Sequence, residues 1–238
     1  MENCLSGPTG NETNLTKGAY ATLRADLLAC RLRPNEKLNI AALSAQLGVS
    51  LGAVREALSR LTSDGLVTAE TNRGFRVAGV SEADLLDLTS TRIELETACL
   101  RRAIRAGGVD WEAQVVAAHH RLSRTPERIA DDLERVSEDW AAAHKDFHGA
   151  LIAACESPWR MRLRDFLFDQ TERYRRLSVL APRQERDLPA EHRALMEATL
   201  DRAEENAVAL LTAHLDATAS RVRALVEEES KGKLPLAG

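Results

Sequence analysis

Two imidazoles stand four residues apart in the segment HKDFH, at His144 and His148. On a helix that spacing is one turn, so both rings share a face. Imidazole binds divalent transition metals and moves protons near neutral pH. The same face carries Trp140, Leu151 and Cys155, so either ring alone reads as a packed core histidine. Two further histidines change the balance. His192 falls in register with Leu195, Met196, Thr199 and Leu200, and His214 with Leu211, Leu215, Thr218 and Val222, each an apolar stripe at helical spacing. Four of the six histidines therefore point inward, from three helices. Burying them separately requires a partner for each, at a cost of about 1 to 3 kcal/mol for every unsatisfied group. One shared divalent transition metal satisfies all four together. Imidazole suits zinc, nickel, copper or iron, zinc and nickel foremost, and bundle cores commonly house such sites.

Helices must hold these rings in place. From Ser81 onward the chain reads as successive amphipathic helices. One carries Leu85, Leu88, Ile93 and Leu95, and another Trp111, Val115, Val116 and Leu122. A short helix is expected over Ile129 to Val136, and the HKDFH helix over Glu138 to Cys155. The next runs from Trp159 through Phe166, Leu167 and Tyr174; Pro182 and Pro189 then bracket a loop. Two last helices are expected over Glu191 to Ala203 and Glu204 to Glu228. Six or seven helices with short connections imply an antiparallel bundle over residues 80–230.

The preceding segment has a different grammar. After a polar tail expected to be disordered over 1–14, Ala19, Leu23, Leu27 and Leu28 recur at helical spacing, and Pro34 and Asn35 end the pattern. IAALSAQL from Ile40 is a short helix stopped by Gly48. Ser50 then caps another helix, in which Val54, Leu58 and Leu61 point inward. Two short helices around a glycine turn form a helix-turn-helix. LVTAE and GFRVA follow as a β-hairpin turned at Asn72 and Gly74. Residues 15–79 are therefore expected to form a winged helix.

Composition agrees with this division. Charged residues make up 29% and hydrophobic ones 44% of 238, and aromatics only 4%, which favours helix. Between Leu15 and Gly79 nine Lys or Arg face five Asp or Glu, giving +4, so a net −4 leaves −8 elsewhere. A basic module joined to an acidic one suits a nucleic-acid reader with a separate second function. Cys4, Cys30, Cys99 and Cys155 lack CxxC spacing and are expected to be reduced thiols. No signal segment or membrane-length apolar run is found, so a cytoplasmic protein without membrane contact is expected. Residues 231–238 read as a frayed tail.

LLACRLRPNEKL, LGVSLGAVREALSRLTSDGLV and NRGFRV resemble the DNA-binding domain of the GntR family of bacterial transcription regulators over nearly all of the first segment. VREAL, DGLV and the NRGF wing are the specific parts. The resemblance implies that the helix beginning near Leu51 enters the major groove of double-stranded operator DNA. Arg55 is then the candidate for guanine or phosphate contact, and Ser50 for backbone phosphate. Gly74 lets the wing approach the minor groove, with Arg73 and Arg76 beside it. Many family members have Arg and Thr just after the serine, where this chain has Leu51 and Gly52. Its base readout is therefore expected to differ, Leu51 packing against a thymine methyl.

TRIELE, HKDFHGAL, ERYRRL, EHRAL and AHL resemble the FCD ligand-binding domain of the FadR subfamily over most of residues 81–228. The fold class expected is thus mainly α, a winged helix-turn-helix followed by an antiparallel helical bundle of FCD type. Subfamily members with a metal use an Asp and three His, and the matching positions are His144, His148, His192 and His214, with His144 where Asp is usual. The substitution leaves two readings: an all-histidine site strongly attractive to an anion, or a metal-free polar pocket. Arg92 matches an arginine that clamps a carboxylate effector, although it could equally pair with Glu96 along its helix. Arg173 and Tyr174 are further effector candidates. The resemblance implies a homodimeric regulator, most simply a repressor, that senses a small organic acid. A metal-dependent hydrolase is the rival class, but no general base or HExxH motif stands near the rings.

Overall fold

Apolar residues at helical spacing build the first unit, which ends at Val80. The computed structural model describes residues 10–71, 73–129, 131–177 and 186–230. Helix α1 (Gly10–Leu28) buries Ala19, Leu23 and Leu27. It begins inside the stretch expected to be a disordered tail, so residues 10–14 are helical rather than irregular. A two-residue strand, β1 (Lys37–Leu38), precedes α2 (Ile40–Leu47). Asn39 caps α2 by accepting from the amides of Ala41 and Ala42. Gly48 closes it at φ +65°, a left-handed conformation that costs glycine nothing. Helix α3 (Leu51–Ser63) starts at Ser50, whose Oγ accepts from the Ala53 amide at 3.2 Å. Val54, Leu58 and Leu61 face α1 in a dry core.

The expected hairpin is present as β2 (Val67–Glu70) and β3 (Gly74–Val77). Asn72, the other turn residue named above, lies outside the described residues. The sheet order is β1-β3-β2, because β1 adds antiparallel to the far edge of β3. Two residues are too few for any periodicity to announce a strand.

The second unit begins at Ser81, the N-cap of α4 (Glu82–Ala106). Next come α5 (Val109–Arg124), α6 (Glu138–Ile152), α7 (Pro158–Leu177), α8 (Leu188–Leu200) and α9 (Glu204–Ser230). Gly107, between α4 and α5, has no room for a side chain, since a Cβ there would meet the Trp111 ring at 2.0 Å. Phe147, Leu100, Leu151, Leu195 and Leu211 bring four helices into one core.

Three local expectations are corrected. The segment Ile129 to Val136 is a hairpin, β4 (Arg128–Ile129) and β5 (Asp132–Val136), and not a helix. Ile129, Leu133 and Val136 do fall at helical spacing. Arg128, which precedes the segment, offers no capping oxygen of the kind Asn39 gives the equally short α2, and a reversal near Asp131 instead pairs Arg128 with Val136. The HKDFH helix ends at Ile152, and Ala153–Cys155 tighten into one 3-10 turn. Pro189 sits in the first turn of α8, where its missing amide hydrogen would have been unpaired anyway. Pro182 and the tail 231–238 lie outside the described residues. No helix among the described residues is long and apolar enough to cross a membrane.

Candidate functional site

Each of the three helices that carry the rings is fixed at its start. Ser137 caps α6 through the Trp140 amide, and Asp187 caps α8 through the Ala190 amide. Helix α9 packs against α4 and α8. These anchors bring His144 and His148 (α6), His192 (α8) and His214 (α9) together, all between 1% and 6% exposed. Ring centroids lie 4.6 Å apart for His144 and His148, 4.9 Å for His192 and His214, and 6.2 Å across the cluster. One ring nitrogen from each lies within 4.8 Å of every other.

Packing alone does not satisfy these rings. Nδ1 of His144, both nitrogens of His148 and Nε2 of His192 are buried without a hydrogen-bond partner. Burial holds all four in the neutral form, reinforced by their mutual repulsion when charged. His144 and His148 are pushed well below the ordinary imidazole range, and His192 to about 2. His214 is lowered by burial although Glu191 opposes the shift. Neutral imidazoles, each with a ring nitrogen within 4.8 Å of the others, are in the protonation state that metal coordination requires. Nitrogen atoms about 2.1 Å from a zinc ion can stand roughly 4 Å apart across it, so the cluster fits a divalent ion with small adjustments.

A pocket opens beside the rings. Its lining is mostly apolar, with Leu85, Phe168, Leu215 and Val222, and Thr89 and Thr171 add hydroxyls. Arg92 lines it but is engaged, donating through Nε to Glu96 at 2.8 Å, with both side chains buried. The helix-face pairing considered from sequence is thus present. Tyr174 contributes its ring to the pocket, and its hydroxyl donates to Asp84 Oδ2 at 2.5 Å and lies 3.2 Å from the Ser81 amide. Arg173 is buried yet does not line the pocket. Arg175 does. It bounds this opening and a second one with Glu127, Trp140, Arg186 and Arg221, and its guanidinium lies 4.8 Å over the Trp140 ring. Spacing could have revealed it, because Phe168, Thr171 and Arg175 share one face of α7 at offsets of three and seven.

In the first unit Leu51 is 50% exposed at the start of α3, with Gly52 and Arg55 also exposed. Ser50 Oγ is occupied by its capping bond. Arg73 is exposed beside Gly74, which adopts φ +93°. Arg76 is tied into the sheet, donating to Glu70 Oε1 at 2.9 Å and to the Asn35 carbonyl at 2.6 Å.

Comparison with known proteins places both units. The profile of the bacterial regulatory proteins of the gntR family matches residues 15–77, and that of the FCD domain residues 87–217. The uncharacterized HTH-type transcriptional regulator BphR of Paraburkholderia xenovorans (strain LB400) is 41% identical over 91% of this chain and 88% of its own. The HTH-type transcriptional repressor GlaR of Escherichia coli (strain K12) is 36% identical over 82% of this chain and 90% of its own. Among solved structures, E. coli McbR/YncC is similar at a TM-score of 0.69 and 20% identity, covering 91% of this chain and 98% of that one.

Proposed function

The chain belongs to the GntR family of bacterial regulatory proteins, with an FCD domain as its second unit, and from that premise we propose how it works as a DNA-binding transcription regulator. It is a regulator and not an enzyme. It acts as a repressor whose hold on its operator is set by a small organic acid bound beside a divalent transition metal, zinc or nickel, in the helical domain. Repression is supported by the similarity to the repressor GlaR. The observation that carries the metal is the cluster of four buried imidazoles, three of them with partnerless nitrogens, converging within 4.8 Å.

His144, His148, His192 and His214 would hold the ion. Bound there, it would offer positive charge to an anionic ligand without moving a proton. The chain's own residues do the rest. Leu85, Phe168 and Val222 exclude water from the ligand's body, and Thr89 and Thr171 offer hydrogen bonds to its polar atoms. Arg92 and Arg175, gripped by Glu96 and Glu172, line the same opening and would share their remaining donors with a carboxylate. Leu51, Gly52 and Arg55 at the head of α3 read base edges in the major groove, and Ser50, Arg73 and Gly74 meet the backbone or the minor groove. Arg76 serves mainly to brace the wing. The regulator works as a homodimer on a pseudo-palindrome in the cytoplasm; the exposed apolar stripe of Trp159, Leu163 and Phe166 on α7 supports self-association. Effector and operator communicate only through the difference in effector affinity between two arrangements of the protein.

The test is His192→Ala in full-length protein prepared without a histidine tag or chelator. Metal content by elemental analysis and the effect of small mono- and dicarboxylates on operator affinity are both expected to fall. Unaltered metal content would remove the residue from the site, and metal loss with an unchanged response would separate sensing from the ion.

A further inference from the structure

A neutral imidazole has one lone pair and one N–H, and the partner of one nitrogen decides which role the other plays. Among the described residues, His214 is the one ring of the four hydrogen-bonded to a carboxylate, Nδ1 lying 2.8 Å from Glu191 Oε2. An ionised carboxylate only accepts, so Nδ1 carries the hydrogen and Nε2 is left with the lone pair. Arg186 Nη2 also lies 3.3 Å from this Nδ1, but two donors cannot bond. The guanidinium is directed elsewhere. Its Nε and Nη2 grip the two oxygens of Glu191, each at 2.7 Å, Nη2 also donates to the His214 carbonyl at 2.9 Å, and Nη1 reaches Thr218 Oγ1 at 3.0 Å. Both carboxylate oxygens are therefore fixed. The two-pronged guanidinium grip marks Glu191 as the carboxylate of an ion pair, a partner that only accepts.

We propose that Glu191 is the outer-shell carboxylate of the histidine cluster, setting the tautomer of His214 and strengthening its Nε2 as a donor to a bound divalent cation. The inference deepens the metal reading above and rests on it. It gives the ligand set something it otherwise lacks. With His144 where a related site has an acid, the four ligands carry no negative charge, and Glu191 supplies one at a single hydrogen bond's remove. One turn of α8 thus delivers both a ligand, His192, and the carboxylate that orients another. Arg186 clamps that carboxylate and keeps the surroundings of the ion cationic, which favours an anionic effector. Carboxylates in this position typically change metal affinity tenfold to a hundredfold.

In a purely structural role Glu191 and Arg186 would tie the start of α8 to His214 and Thr218 of α9 and leave metal binding alone. Full-length, metal-free wild type, Glu191→Gln and Glu191→Ala separate the two roles. Zinc affinity is measured by competition with a chromophoric chelator, and the ligand field by the visible spectrum of the Co²⁺ form. Removing the charge is expected to weaken zinc binding about tenfold in Glu191→Gln, which keeps an acceptor, and up to about a hundredfold in Glu191→Ala, with a shifted cobalt band in both. Wild-type zinc affinity with an unchanged cobalt spectrum would overturn the proposal, whatever the melting temperature does. If Glu191→Ala does not fold, the near-isosteric Glu191→Gln decides alone. His148→Ala is the control for the underlying reading. Zinc uptake that depends on His148 but not on Glu191 sinks only this inference, whereas no dependence on His148 sinks the site itself.

Discussion

At the scale of single residues, the cluster's chemistry is set by which charges the protein refuses to bury. Four imidazoles are held neutral, with Arg92, Arg164, Arg175 and Arg186 nearby adding to the penalty on protonation and Glu191 relieving it only for His192 and His214. The unfolded chain has no such penalty and binds protons as pH falls below roughly 6.5. The folded values are depressed, so this contribution is level above that pH and stability is lost below it. Each ring kept neutral costs about 1.4 kcal/mol per pH unit in that window. Urea unfolding of the metal-free protein is therefore expected to show a steep loss of stability between pH 6.5 and 5; a flat profile there would show that the rings protonate in the folded state. The four histidines were legible in the sequence because each lies on an apolar stripe of regular period. Glu191 was not, since an acid in the first turn of a helix ordinarily reads as a partner of the helix dipole. The sequence reading names Arg173 and not Arg175, although of the two only Arg175 shares the face of Phe168.

At the scale of elements, helices with long apolar stripes and clear caps were readable to within a few residues, α2 and α3 most sharply, since Asn39, Gly48 and Ser50 state their ends chemically. Short strands were not. β1 exists only because β3 offers it an edge, and β4 with β5 because a reversal competes better than an uncapped two-turn helix; both are decisions made by the surroundings. Helix α3 carries the clearest prediction. Arg55 is exposed and makes no contribution to the core, so Arg55→Ala is expected to abolish operator binding while the melting temperature stays nearly unchanged. Electrophoretic mobility shift and a thermal melt on the same preparation check it, and normal binding to the promoter would displace the recognition surface from this helix. Tyr174 works at this scale too, one side chain that lines the pocket with its ring and holds Ser81 and Asp84, at the start of α4, with its hydroxyl.

At the scale of the whole molecule, sequence, charge and fold divide at the same place. The GntR unit ending at Val80 is net basic, and the helical unit that contains the cluster is net acidic. Such a division lets each unit keep its own core, and under the proposed function a ligand in one would alter operator affinity through linkage. The central claim is that α6, α8 and α9 meet so that four imidazoles can hold one ion. X-ray absorption at the metal edge of zinc- or nickel-loaded full-length protein tests this most directly. The account predicts one ion per chain in a shell of nitrogen neighbours with the outer scattering of about four imidazole rings. A shell dominated by oxygen or sulfur, or a spectrum unchanged when His148 and His192 are both replaced by alanine, would contradict it.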